Sequence, residues 1–244
     1  WYKQKGFRKR MFRFNKEDIA YALQRTLEKV VLRFCRHILS LWNDTSQSPD
    51  LFLSGGLFAN AKLNQYIHDS GLFNRIFVHP CMNDGGTALA ALDFTPSALY
   101  STSSSIEHVF WGPSYDDREI RDILDSYNID YEYAEDIDVR IAFLLSQGNV
   151  IARFAGPMEY GLRALGNRSI LFSANDVTVQ RWLNRRLGRE EFMPFAPVTL
   201  EEHKDELYEN LSRAEHVYPF MTATFNATEQ AKKMSPAISH VDGT

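Results

Sequence analysis

At 244 residues with 44% hydrophobic content, the chain is long enough to bury a full core, and two compact domains are expected. The net charge of -4 argues against a chain-wide nucleic-acid or membrane-surface binder, and no apolar run approaches the roughly 18 residues of a membrane span. Cys35 and Cys81 give neither a metal-ligand spacing nor a disulfide framework, so both are read as free thiols of a cytoplasmic protein.

The chain opens on Trp1 rather than Met, with a short basic and aromatic stretch (Lys3, Lys5, Arg8, Lys9, Arg10 and Arg13 beside Trp1, Tyr2 and Phe7), and is read as one part of a longer polypeptide. From Asn15, a plausible N-cap, apolar residues recur at helical spacing through Ile19, Leu23, Leu27, Val30, Val31, Phe34, Ile38 and Leu41, predicting a long amphipathic helix. The run LFL at 51–53 then enters SGGLFAN, and Leu63, Tyr66 and Ile67 resume helical spacing. A second strand over 75–79 leads through PCMNDGG into the helix-prone TALAALDF. Two successive strand, turn and helix units predict an α/β layer.

Residues 96–105 lie in a Ser- and Pro-rich stretch without periodicity and are read as the linker between a unit at 1–95 and another at 106–244. Beyond it the pattern predicts a helix over 114–127, strand 129–133, helix 137–147, strand 150–154, strand 170–173 and helix 177–187. The second unit is therefore also α/β.

Four segments could carry chemistry. In SGGLFAN, adjacent glycines after a strand let the backbone approach a phosphate or ribose, making Gly55, Gly56 and Asn60 candidates; such a pair also occurs in turns that bind nothing. In CMNDGG, Asp84 could ligate a metal or orient a phosphate, or could cap the following helix. The densest signal is GPMEYGLRALGNRSIL at 156–171, where Arg163, Arg168, Asn167 and Ser169 offer two guanidinium forks, an amide and a hydroxyl. Around it, Arg153, Arg163, Arg168, Arg181, Arg185, Arg186 and Arg189 face only Glu159 and Asp176, a local positive field suited to phosphate or nucleotide. Arg181 and Arg185 read as a solvated helix face. In LGREEFMPFAPVTL, the prolines and aromatics suggest a structural segment from which Arg189 could still point at the same pocket.

Taken in this order, SGGLFAN, NDGGTALAAL, GPMEYGLRALGNRSIL, LNRRLGREEFMPFAPVTL and SHVDGT resemble the C-terminal half to two-thirds of carbamoyltransferases of the nodulation-protein and tobramycin-modifying type. The resemblance implies that residues 1–95 are the C-terminal lobe of an actin-like ATPase (ASKHA) transfer domain and residues 106–244 a YrdC-like α/β domain. It implies a carbamoyl-adenylate made from carbamoyl phosphate and ATP, with Mg accompanying the ATP, and passed to a hydroxyl of a small molecule or sugar. Gly55, Gly56 and Asn60 would match the family's adenylate loop and Asp84 its metal-ligand aspartate, with iron the expected metal. Arg163, Arg168 and Ser169 would match the phosphate-binding segment.

Two departures qualify the match. Leu162 stands where the family reads Pro in GPRALG, and the histidines (37, 68, 79, 108, 203, 216 and 240) contain no pair at i, i+4, so the metal's histidines would come from a missing N-terminal lobe or a separate chain. His240 is the best single candidate among them. A nucleotide-binding or scaffold module without transfer activity is the alternative from another class, and nucleic-acid binding through the basic start is a third; neither a nucleic acid nor a membrane is expected as a partner.

Overall fold

The structure, a computed structural model, describes residues 13–42, 48–87, 106–189 and 195–238. Most of the basic start, the segment 88–105 with the expected linker, residues 190–194 and His240 lie outside the described residues.

The first element is the helix that the spacing predicts. Helix α1, Lys16–Ser40, starts where the Asn15 side chain accepts a hydrogen bond from the Asp18 N–H at 2.7 Å, satisfying one of the amides that a helix start leaves open. Glu17 and Asp18 favour the positive end of its dipole and His37 lies in its last turn. One face buries Leu32 and Cys35, with Leu27, Val31 and Leu39 packed at the edge of the core.

Strand β1 (Leu51–Leu53), helix α2 (Ala61–Asp69) and strand β2 (Ile76–Val78) form a β-α-β unit in which the strands pair parallel, Leu51 opposite Ile76 and Leu53 opposite Val78. A helix is the usual means of returning the chain to a parallel neighbour. Leu53, Ile76 and Val78 point inward with Leu63 and Ile67 of α2, while Phe52 turns outward.

This core is closed by residues far along the sequence. Ala214 and Val217 are fully buried within it, and Tyr218, Ala223 and Phe225 pack on its edge. Polar groups follow the same path: Asn64 donates through Nδ2 to the Thr222 carbonyl at 2.6 Å and the Phe58 carbonyl at 2.7 Å. Gln65 donates to Asn226 at 3.0 Å and accepts from the Thr224 hydroxyl at 2.7 Å. Arg213 donates to the Phe73 carbonyl at 3.2 Å. Residues expected to belong to the second unit thus complete the hydrophobic core of the first.

The remainder is mixed α/β. Helix α3 (Asp117–Ser126) begins with a reciprocal capping box between Asp116 and Glu119, and α4 (Ile137–Ser146) begins on Asp136. Strands β3 (Ile151–Phe154) and β4 (Arg168–Leu171) pair antiparallel, and α5 (Val177–Arg186) follows. Short helices α6 (Lys204–Leu207) and α7 (Glu229–Met234) complete the set. The strand expected over 129–133 does not form. Ile129, Tyr131 and Tyr133 are exposed there, and alternating apolar residues make a strand only where another strand accepts their backbone bonds.

Candidate functional site

Ligand sites of open parallel sheets lie beyond the C-terminal ends of the strands. Here β1 and β2 both end in glycine loops, and the Gly55 N–H donates to the Met82 carbonyl at 2.7 Å, holding the two loops together. Gly55 has φ +111°, and a β-carbon at Gly55 or Gly56 would meet nothing within 4 Å. Space therefore lies over this backbone, while the left-handed conformation of Gly55 is one that other residues adopt only with strain. Gly86 has a different reason, since a β-carbon there would lie 2.1 Å from the Cys81 carbonyl oxygen.

Asn60 serves the architecture: its side chain caps α2 by accepting from the Leu63 N–H at 3.0 Å and donates to Gln24 of α1 at 2.7 Å. Asp84 opens a turn of 3-10 helix, Asp84–Gly86, but its neighbour Asn83 makes the cap by accepting from the Gly85 N–H at 3.1 Å. The Asp84 residue is exposed. Among the described residues no group of three or more His, Cys, Asp or Glu is arranged to hold a metal ion, so these residues do not make a complete metal centre.

The arginine-bearing loop of residues 156–168 descends onto this pair of loops. A β-carbon on Gly161, at φ +115°, would lie 2.8 Å from the Pro80 carbonyl oxygen, so only glycine permits this approach. Tyr160 sets its ring edge-on to His79 at 5.9 Å and against Trp111 at 5.4 Å. Burial, and then the neighbouring Cys81, push its phenol above the ordinary tyrosine range. Arg163 reaches across to the first loop, its Nη2 donating to the Ala59 carbonyl at 3.4 Å. Its Nε is buried and has no hydrogen-bond partner among the described residues.

The loop is shaped by a residue that the sequence reading counted only as a charge. Glu159 is buried, and its Oε1 accepts from the backbone N–H groups of Leu165 and Asn167 at 2.8 Å and of Arg168 at 3.2 Å. Burial opposes the charged form, but these amides outweigh it and hold the carboxyl below its ordinary range. A glutamate followed six to nine residues later by its own donors carries no periodic signature; the closely spaced glycines around it are the only hint of a folded-back loop.

Arg168, expected beside Arg163 as a ligand group, has its donors engaged by the loop. Its guanidinium lies 3.6 Å from the Phe154 ring centroid and donates to the carbonyls of Ala155, Gly156, Asn167 and Pro113 at 2.9 to 3.2 Å. Five N–H groups on a rigid planar fork suit that clamping task. Ser169 is also occupied, accepting from the Gly166 N–H at 2.9 Å. Arg189 follows α5 and stacks on Phe195 at 4.6 Å, while Arg181 and Arg185 are exposed on α5 as their spacing suggested. Two shallow concavities, one along Asp125 to Tyr131 and one at Gly148, Val150, Trp182 and Arg185, share no residue with these loops.

The arrangement brings the loop of Gly55 and Gly56, the loop that carries Asp84 and the distant segment that carries Arg163 against one another. Open space over the backbone of Gly55 and Gly56, with one guanidinium beside it, suits an anionic group such as a phosphate.

Comparison with known proteins agrees with the order of the motifs. The family model described as carbamoyltransferase N-terminus matches residues 1–92, and that described as carbamoyltransferase C-terminus matches residues 142–244. Nodulation protein NolNO of Sinorhizobium fredii is 34% identical across 93% of this chain and 34% of its own length. Nodulation protein NolO of Bradyrhizobium diazoefficiens is 34% identical across 93% of the chain and 42% of its length. Nodulation protein U of Azorhizobium caulinodans is 31% identical across 93% of the chain and 38% of its length. The chain thus spans well under half of each of these relatives. No helix among the described residues is long and apolar enough to cross a membrane.

Proposed function

The chain belongs to the carbamoyltransferase family, and from that premise we propose that it is part of an ATP-dependent O-carbamoyltransferase acting on a hydroxyl of a small molecule or sugar. In this reading residues 1–95 are the C-terminal lobe of an actin-like transfer domain and residues 106–244 a YrdC-like domain. Water hydrolyses carbamoyl phosphate to carbamate and phosphate, with loss of a proton. A carbamate oxygen attacks the α-phosphorus of ATP, pyrophosphate leaves, and carbamoyl adenylate forms. The acceptor hydroxyl then attacks the carbamoyl carbon, giving the carbamate ester and AMP as its proton is lost.

The observation that carries this reading is the convergence of SGG, NDGG and the Arg163 loop at the ends of β1 and β2. Backbone at Gly55 and Gly56 would lie against phosphate or ribose, and Arg163 would stabilise charge as the anhydride is exchanged, fixed donors being most effective where water is excluded. Arg168 and Glu159 hold the loop that presents Arg163. Mg would travel with ATP. The expected iron is proposed with Asp84 as this chain's single contribution.

The test is exchange of labelled pyrophosphate into ATP in the presence of carbamoyl phosphate. Arg163→Ala should lower the exchange rate by about 100-fold or more, the usual effect of removing one fixed donor to developing charge. Equal exchange in both proteins would remove Arg163 from the site. Nucleotide binding by calorimetry without exchange would instead favour a binding module that does not transfer.

A further inference from the structure

Helix α1 has two apolar faces, and among the described residues the core uses one of them. Leu23, Val30, Phe34, Ile38 and Leu41 recur at helical spacing on the other, and each of the five is 45% to 67% exposed. A stripe of this length is not an isolated surface leucine; contiguous exposed apolar surface of this kind marks an interface. The exposed ionic residues beside it are of one sign: Lys29, Arg33 and Arg36. From Ile19 to Leu41 the single carboxylate is Glu28, which is buried and paired with Arg25.

Among the described residues the outer face of the β1 and β2 pair is similarly uncovered. Parallel sheets are normally covered on both faces, yet Phe52 is 75% exposed, with its ring against Phe77 at 5.8 Å.

We infer that the α1 stripe is the docking surface for the further part of the carbamoyltransferase that the relatives possess and this chain does not span, presented to it as an apolar surface rimmed with carboxylates. The inference rests on the family reading. More than half of each of the three relatives lies outside the matched stretch, which supplies an occupant large enough to cover a helix of 25 residues. The charge argues against a second copy of this chain, because two such helices packed antiparallel about a twofold axis would set one basic flank against the other, and like charges disfavour that pairing.

The probe is the remainder of Bradyrhizobium diazoefficiens NolO, outside the stretch matched here, produced as a separate chain and mixed with this one. Light scattering after gel filtration should show a one-to-one complex. Phe34→Glu with Ile38→Glu should weaken it at least tenfold, and Arg33→Glu with Arg36→Glu should weaken it less and abolish much of its salt dependence. All four positions are exposed, so melting followed by circular dichroism should be unchanged and would show that the variants fold. The inference is overturned if no complex forms, if the apolar variant binds as tightly as the native chain, or if the native chain is a dimer that this variant makes monomeric. Because docking requires no carbamoyl chemistry, it can succeed where pyrophosphate exchange fails, and the reverse.

Discussion

Two regions of the molecule reach order by different means. Between Leu53 and Met82, Leu63, Ile67, Phe73, Ile76 and Val78 are buried together and sealed by Ala214 and Val217. Between residues 106 and 189 the buried set is Val109, Glu159, Leu183 and Asn184, while Ile123, Ile137, Val139, Phe143, Phe154 and Trp182 are exposed. The first region holds its shape by burying hydrocarbon, which is non-directional and grows with area. The arginine loop in the second is held by directed bonds to a carboxylate and from a guanidinium. The packed region can therefore supply a stiff floor, with the polar loop setting one arginine above it.

Breaking the floor should have the largest effect. Leu63 is fully buried, and Leu63→Ala is expected to lower stability by about 3 kcal/mol in urea unfolding, within the usual range for a leucine truncated in a core. Because Ala214 and Val217 share that core, hydrogen exchange at residues 211–222 should rise along with exchange in α2. Continued protection at 211–222 would separate the two segments and undo the common core.

How far each region was legible in the sequence follows the same division. Helix α1 was readable because Asn15 marks its start and its apolar residues keep the helical period; β1 and β2 were readable as short apolar runs between turn residues. The glycine loops could be marked as candidates, but their contact through Gly55 and Met82 could not, since it depends on parallel pairing across 25 residues. The return of Val217 into the first core is a non-local contact with no local pattern. Ile129, Tyr131 and Tyr133 show the opposite failure: a clear alternation without a strand to pair with. At Arg168 the residue type was informative and its task was not, because a fork of donors suits backbone carbonyls as well as phosphate.

The polar loop should respond to charge where the floor does not. Glu159→Ala leaves three part-buried amides without their acceptor, at an expected cost of about 2 kcal/mol, with faster exchange at residues 165–168 and none in α2. Glu159→Gln keeps an acceptor oxygen and removes the charge. Since the folded carboxyl lies below its ordinary value, its contribution is fully present above the unfolded value and is lost as pH falls through the folded one. The stability gap between the native chain and Glu159→Gln should be constant near neutrality, narrow below the ordinary carboxylate range and close at still lower pH. A gap that widened on acidification would mean that burial, not the amides, dominates at this site.

The smallest effect belongs to Asn60, where floor and site meet. It caps α2 and joins it to α1 through Gln24. Asn60→Ala should cost about 1 kcal/mol, the ordinary value of a lost cap. Asn60→Asp retains an oxygen for the Leu63 N–H and for Gln24 Nε2, and loses only the bond that Asn60 donates to Gln24, so this variant should lose less stability than Asn60→Ala. The pair thereby isolates the ligand question from the structural one. Aspartate places a negative charge beside the proposed phosphate position while keeping the cap, so nucleotide affinity measured by calorimetry should fall more in Asn60→Asp than in Asn60→Ala although its stability falls less. Unchanged affinity would confine Asn60 to the floor and leave Gly55, Gly56 and Arg163 as the groups proposed to face the ligand.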